Sequence, residues 1–129
     1  MKKIIFLGFI LIIFATVAKS QIRIKMQKEG GVFMTPCTIN GLKLRFIFDT
    51  GASNVSISLS EASFMIKNGY LLENDLQGLS YSQLANGAII ENTTVNLREV
   101  EIGGIKIYNV EAKIIHDLNA PLLLGVIGK

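Results

Sequence analysis

Apolar and polar residues alternate along most of the chain after residue 20, and glycines interrupt the pattern at short intervals. Ile22, Ile24 and Met26 alternate with charged or amide side chains, a period of two that is typical of a half-buried strand. The same pattern predicts further strands over residues 32–39, 42–48, 79–84, 88–90, 93–102 and 105–114. Asn40-Gly41 and Asn86-Gly87 tolerate the positive φ angles of tight hairpins. Many short strands at this spacing predict an all-β barrel or sandwich.

One segment carries the signals of a helix instead. Ser58 and Glu61 have the S-x-x-E spacing of a capping box, in which each side chain accepts a hydrogen bond from a backbone N–H at the helix start. Gly69 stands where a left-handed helix end favours glycine. A single short helix is therefore predicted over residues 59–68, with an inward face that includes Ala62, Met65 and Ile66.

The first 20 residues follow a different pattern. Two lysines precede an unbroken apolar run over residues 4–14, and Ala18 and Ser20 supply the small side chains that a signal peptidase requires. These features predict a secretory signal peptide over residues 1–20, a single domain over residues 21–129, and export to the periplasm or the medium. The alternative is a membrane anchor through residues 4–18, although the run is shorter than the roughly 20 residues of a spanning helix.

Removing the predicted signal peptide changes the charge of the chain. Three of its 13 basic residues lie in residues 1–20, so the remaining domain has 10 basic and 10 acidic residues. No excess of Lys and Arg is left, and we expect no binding to nucleic acid. Cys37 and His116 are the single cysteine and histidine, so we predict no intrachain disulfide, zinc site or His-based triad. Cys37 is interpreted as a small buried side chain and His116 as a solvated one.

The segment with the clearest chemistry is Asp49-Thr50-Gly51. An apolar strand over residues 46–48 runs directly into Asp49, and a carboxylate at the end of such a strand is expected in a low-dielectric setting that tunes its protonation. Thr50 can hydrogen-bond neighbouring backbone, and Gly51 lets the chain turn closely beneath the carboxylate. By itself, however, Asp-Thr-Gly is also common in ordinary turns at strand ends.

The wider context resembles the retropepsin-like aspartic proteases. Phe-Ile-Phe-Asp-Thr-Gly-Ala-Ser over residues 46–53 is similar to the family's active-site loop, and the preceding Asn40-Gly41 hairpin is similar to its lead-in. The run Leu122-Leu123-Leu124-Gly125 resembles the second signature, which packs below the catalytic loop. The resemblance extends over nearly all of residues 28–125 and implies a closed barrel of short antiparallel strands with one helix. It also implies a flap that closes over substrate, at Leu84, Ala85, Asn86 and Gly87.

This resemblance implies an aspartic endopeptidase that acts on peptides or proteins without a metal or other cofactor. The implied catalytic residue is Asp49, with Thr50, Gly51, Ala52 and Ser53 supporting the loop and Leu123, Leu124 and Gly125 lying below it. Such enzymes use two carboxylates that share a proton: one activates water, and the other hydrogen-bonds the scissile carbonyl. Because Asp75 and Asp117 lack the motif, the second carboxylate is expected to be Asp49 of the other subunit in a homodimer.

One departure keeps two alternatives open. Family members usually continue past the second signature into a short helix, whereas this sequence stops four residues after Gly125, so the C-terminal helix is expected to be missing. The chain could then be a catalytically silent peptide-binding or assembly module outside the cytoplasm, or an incomplete product that does not fold alone. The intact Asp49-Thr50-Gly51 disfavours the silent module, because a binding protein does not need an unfavourable buried acid.

Overall fold

The computed structural model describes residues 20–117 and 123–125. This part is mostly β-structure with one short α-helix, which confirms the predicted fold class. The predicted signal peptide, except for Ser20, lies outside the described residues. No helix within those residues is long and apolar enough to cross a membrane. The strands are β1 (Gln27–Glu29), β2 (Val32–Ile39), β3 (Leu42–Asp49), β4 (Val55–Ser58), β5 (Leu76–Gln83), β6 (Ile89–Ile102), β7 (Ile105–Ile115) and β8 (Leu123–Gly125).

The strands form one sheet in the order β1-β2-β3-β8-β4-β7-β6-β5. Most neighbours are antiparallel, whereas β8 is parallel to β3 and β4 is parallel to β7. The sheet bends back far enough for Thr38 and Ile39 of β2 to pair with Glu101 and Val100 of β6. This contact spans only two residue pairs, and β1 and β5 lie beyond it with one neighbour each. The prediction of a closed barrel is therefore wrong for the described residues.

The strand predicted around residues 22–26 is also wrong, because the first strand begins at Gln27. Ile22 and Ile24 pack instead against the turn between β6 and β7. A Cβ atom placed on Gly103 would lie only 2.7 Å from Ile24 Cγ1. Ile24 is half-buried by this contact, whereas Ile22 remains 51% exposed, and no strand of the described part pairs with this backbone. The segments predicted separately over residues 88–90 and 93–102 join into the long strand β6.

The helix α1 (Leu59–Lys67) begins where the capping signal predicted. Ser58 Oγ accepts a hydrogen bond of 3.2 Å from the Glu61 N–H, which satisfies one of the unpaired donors of the first turn. After the helix, Gly69 has a φ of +77°. The prediction for Ile66 is wrong: its side chain is 40% exposed, because this short helix buries only the face that carries Ala62 and Met65. A short 3-10 turn, Glu73–Asp75, then leads into β5.

The hydrophobic core lies directly under the strand that carries the candidate catalytic residue. Phe46 of β3 is completely buried, together with Ile57, Met65 and Val95 from β4, α1 and β6. Cys37 is buried in the same cluster, as predicted, and burial raises the pKa of its thiol to about 12 because a thiolate is poorly solvated there. Packing of Phe46 therefore holds the end of β3 in place relative to the rest of the sheet.

Candidate active site

Asp49 is the last residue of β3, and the second signature lies beside it. Strand β8 runs parallel to β3, with Leu123 opposite Ile47 and Gly125 opposite Asp49. The antiparallel neighbour on the other side is β2, where Phe33 is opposite Phe48. Two segments that are more than 70 residues apart in the sequence are therefore adjacent at the backbone level. Leu122, the first residue of the second signature, lies outside the described residues.

The loop after β3 folds back on the Asp49 side chain. The Gly51 N–H donates to Asp49 Oδ1 at 2.8 Å, and the Ala52 N–H donates to the Asp49 carbonyl oxygen at 3.2 Å. A Cβ atom on residue 51 would lie 3.3 Å from Asp49 Oδ1, which is closer than an ordinary van der Waals contact. Glycine at this position therefore allows the backbone to approach and orient the carboxylate. The Thr50 side chain makes no hydrogen bond within the described residues, so its expected backbone contact is not formed there.

The Asp49 side chain is exposed in the single chain. This corrects the low-dielectric setting expected from the apolar strand before it. The apolar residues fill the core beneath the strand, whereas Asp49 lies at the sheet surface, and no other described element covers it.

A cleft of about 310 Å³ lies between this loop and the hairpin that joins β5 to β6. Asp49, Gly51, Ala52 and Ser53 line it from the loop side. Leu84 and Ala85 line it from the hairpin side, whereas Thr50, Asn86 and Gly87 do not reach it. Asp49 is the only acidic residue that lines the cleft in the described part of the chain. The rest of the lining comes from Asn54, Ser56, Ser82, Gln83, Ile90, Asn92, Lys113 and Ile115.

The hairpin loop over residues 84–88 is shaped by hydrogen bonds among its own residues. The Leu84 N–H donates to the Ala88 carbonyl at 2.8 Å, and the Gly87 N–H donates to the Leu84 carbonyl at 2.9 Å. Asn86 Oδ1 accepts from the Ala88 N–H at 3.0 Å. Gly87 has a positive φ of +85°, but Asn86 does not adopt one. The predicted tight two-residue turn is therefore a longer loop, which presents Leu84 and Ala85 to the cleft.

Sequence reasoning missed the polar wall of the cleft, formed by β4 to β7. Asn92 is buried, and its Nδ2 donates to Ser82 Oγ at 2.6 Å. Lys113 Nζ donates to Thr94 Oγ1 at 2.8 Å. Their neighbours Val95 and Ala112 point to the opposite, core side of the sheet. The alternation along β6 and β7 could have revealed this face. Polar side chains occupy positions 92, 94 and 113 on one face, whereas Val95 and Ala112 lie on the apolar opposite face.

The remaining ionisable candidates have structural contacts. Asp75 is buried and accepts hydrogen bonds from the Leu72 N–H at 2.9 Å and from Arg98 Nε at 3.2 Å. His116 is half-buried and forms a 2.9 Å hydrogen bond with Thr93 Oγ1, so the prediction of a solvated side chain is wrong. No group of three or more His, Cys, Asp or Glu side chains within the described residues could hold a metal ion.

Comparison with known proteins adds to this geometry. A family model described as aspartyl protease matches residues 35–127, a range that includes Asp49 and the whole of β8. The fold is similar to the crystal structure of a retropepsin-like aspartic protease from Rickettsia conorii, with a TM-score of 0.57 and 23% sequence identity. The match covers 81% of this chain and 73% of that chain, which shows that the fold is retropepsin-like. No curated protein matches the sequence at a significant level.

Proposed function

The chain belongs to the aspartyl protease family, and we propose that it is an endopeptidase built from two copies of this chain. In this proposal, Asp49 of each subunit contributes one carboxylate to a pair that activates water against a peptide bond. The observation that carries the proposal is the position of Asp49. It is the only acid lining the cleft among the described residues, and the Gly51 N–H orients it at 2.8 Å.

The chemistry follows from bringing two carboxylates together. Like charges at short distance cannot both ionise easily, so the pair holds one proton between them and titrates as a unit. The ionised carboxylate accepts a proton from the water as it attacks the scissile carbonyl carbon. The protonated carboxyl donates a hydrogen bond to the carbonyl oxygen, where negative charge develops. The C–N bond then breaks as the pair passes the proton taken from water to the leaving amine nitrogen, which regenerates the pair with its one shared proton. In each subunit the Gly51 N–H holds one oxygen of its own Asp49 carboxylate in place.

The need for a second subunit rests on the same site. Asp75, the other aspartate embedded in the fold, is held by Leu72 and Arg98 and does not line the cleft. Asp49 is exposed, so its side chain is available to another chain. The apolar side chains of Val32 and Phe33 are 38% and 49% exposed on the strand next to β3. Exposed apolar side chains this close to Asp49 support burial against a partner copy.

Substrate binding is proposed to use backbone pairing. The loop over residues 84–88 and the loop after Asp49 lie on opposite sides of the cleft. An extended peptide between them could pair its backbone with the exposed edges, and its side chains would alternate between the two walls. The 310 Å³ of the cleft in one chain holds only a few side chains, so a longer peptide would extend into the cleft of the partner.

The test is cleavage of a mixed peptide library from acid to neutral pH, combined with analytical ultracentrifugation. We expect a dimer that cleaves peptides, and loss of cleavage in Asp49→Asn without loss of the dimer. The control is Glu73→Gln, which removes the same charge from an exposed position outside the cleft. A folded dimer without cleavage would favour the silent binding module. A monomer or an aggregate without cleavage would instead favour a chain that is incomplete as a folding unit.

We also propose that the protein acts outside the cytoplasm. The support is the pattern of residues 1–20, which lie almost entirely outside the described part of the chain. Mass spectrometry of the protein recovered from its source should give an N-terminus at Gln21. Recovery in membranes with Met1 intact would favour an anchor over residues 4–18.

A further inference from the structure

The wall of the cleft opposite Ala52 is polar and carries a positive charge. Thr94 on β6 is opposite Lys113 on β7, and Lys113 is opposite Ser56 on β4, so these three side chains lie on one face of the sheet. Asn92 is two residues before Thr94 and shares that face. Lys113 is the only basic residue that lines the cleft in the described part of the chain.

The Lys113 ammonium is largely enclosed but incompletely paired. Its side chain is 16% exposed, and Nζ contacts Thr94 Oγ1 at 2.8 Å and Glu111 Oε1 at 3.1 Å. An ammonium group has three N–H donors, so one donor remains for a ligand. Glu111 is 62% exposed and does not line the cleft, which makes it a weakly bound partner that solvent screens. An added carboxylate in the cleft would pair with the remaining N–H of this largely enclosed cation.

Asn92 provides a second, independent observation on the same wall. Its side chain is 1% exposed, and its Oδ1 has no hydrogen-bond partner among the described residues. Buried amide oxygens are nearly always paired, so an unpaired one at a cleft indicates a position where a donor is missing. The N–H groups of a peptide backbone are donors of this kind. The wall thus leaves one N–H donor of Lys113 and the Oδ1 acceptor of Asn92 without a partner among the described residues.

We propose that Ser56, Ser82, Asn92 and Lys113 form a substrate subsite that selects a glutamate or aspartate side chain near the scissile bond. The acidic side chain accepts a hydrogen bond from Lys113 Nζ. A shift of the Asn92 side chain on binding exposes its buried Oδ1, which then accepts an N–H of the peptide backbone. Asp49, the other charged residue of the cleft lining, repels a carboxylate, so the preference is confined to the Lys113 wall. This inference rests on the proposed function in one respect, namely that the cleft binds peptide.

The experiment uses peptides that differ only by Glu or Gln at one position, scanned across the cleaved sequence. For the wild type at low salt, we expect kcat/KM to be about tenfold higher with Glu at one position, as for a charge-assisted hydrogen bond. Lys113→Met should bring this ratio to about one, and Lys113→Arg should keep it above one. Lys113→Glu should favour a Lys peptide over the Glu peptide. Lys106→Met removes an exposed lysine from the other end of the same strand and should leave the ratio unchanged.

Peptide binding to the Asp49→Asn protein, followed by fluorescence anisotropy, separates this inference from the proposed function. Glu-selective binding that Lys113→Met abolishes supports the subsite even if no variant cleaves. Cleavage without a Glu preference at any position overturns the subsite and leaves the protease proposal intact. If Lys113→Met does not fold, judged by circular dichroism, the wild-type Glu-to-Gln ratio must still fall as salt rises. A ratio that is independent of salt overturns the inference.

Discussion

Asn40 connects three parts of the fold through one side chain, and its substitution should measurably lower the stability of the protein. It lies in the turn between β2 and β3, with a φ of +49°. Its Nδ2 donates to the Tyr70 carbonyl at 2.7 Å, and its Oδ1 accepts from the Glu99 N–H at 2.9 Å. The hairpin that ends at Asp49 is thereby attached both to β6 and to the chain just after α1.

The expected loss of stability can be worked out from these contacts. Each side-chain hydrogen bond contributes about 1 kcal/mol net, so removing both costs about 2 kcal/mol. The Tyr70 carbonyl still accepts a hydrogen bond from Arg98 Nη2 at 3.1 Å. Losing the hydrogen bond from Asn40 to this carbonyl should therefore cost less than losing the one from the Glu99 N–H. Alanine at a left-handed φ adds about 1 kcal/mol of strain, which glycine avoids. We therefore expect the free energy of unfolding to fall by about 3 kcal/mol in Asn40→Ala and about 2 kcal/mol in Asn40→Gly.

The assay is urea denaturation followed by far-ultraviolet circular dichroism, at one protein concentration because dimerisation would add to stability. Asn40→Asp serves as a third variant, because it keeps the acceptor for the Glu99 N–H and loses the donor to Tyr70. Its free energy of unfolding should lie between that of the wild type and that of Asn40→Gly. If the free energies of unfolding of Asn40→Ala and Asn40→Gly both lie within about 0.5 kcal/mol of the wild type, the range of ordinary surface substitutions, the two Asn40 hydrogen bonds do not stabilise the fold.

Three further predictions concern single side chains. Ser58→Ala removes the acceptor for the Glu61 N–H and should lower the free energy of unfolding by about 1 kcal/mol. Ser58→Asp keeps an acceptor there and should lose only a small part of that ~1 kcal/mol. Asp75→Asn weakens the contact with Arg98 and should cost about 2 kcal/mol in the same denaturation assay; no change would mean that the buried carboxylate is not a stabilising partner. Burial raises the Cys37 pKa from 9.0 to about 12, so the folded protein keeps the neutral thiol where the unfolded chain ionises. Its stability should therefore fall as pH rises from 9 towards 12, and Cys37 should react with a thiol reagent at pH 8 only after denaturant is added.

Features that depend on neighbouring residues in the sequence could be predicted. The Asn40-Gly41 turn needs two positive φ angles, and the structure has +49° and +88° there. The helix start at Ser58 depends on contacts across three residues, and the prediction for it is confirmed. The family resemblance at residues 46–53 and 122–125 also predicted the retropepsin-like fold, which the structural comparison shows.

Predictions that required distant contacts were less successful. Residues 22–26 alternate like a strand, yet Ile22 and Ile24 pack on the turn at Gly103, about 80 residues away in the sequence. The loop at Asn86 was predicted as a tight turn, but the side chain of Asn86 caps Ala88 instead. The polar wall around Lys113 was not predicted, because its members come from four strands that become neighbours only through sheet pairing.

Asp49 shows which properties of the site follow from the local sequence and which depend on the tertiary structure. The apolar residues before it and Gly51 after it place a carboxylate at the end of a strand, because strand propensity and glycine conformation are local properties. The exposure of that carboxylate, and the strand β8 beside it, depend on pairings between distant segments. Those pairings depend on burial of the whole core, because a pairing is favourable only when it places the apolar face of each strand against the core. A motif can therefore specify the reactive group, whereas its surroundings follow from how the complete sheet assembles.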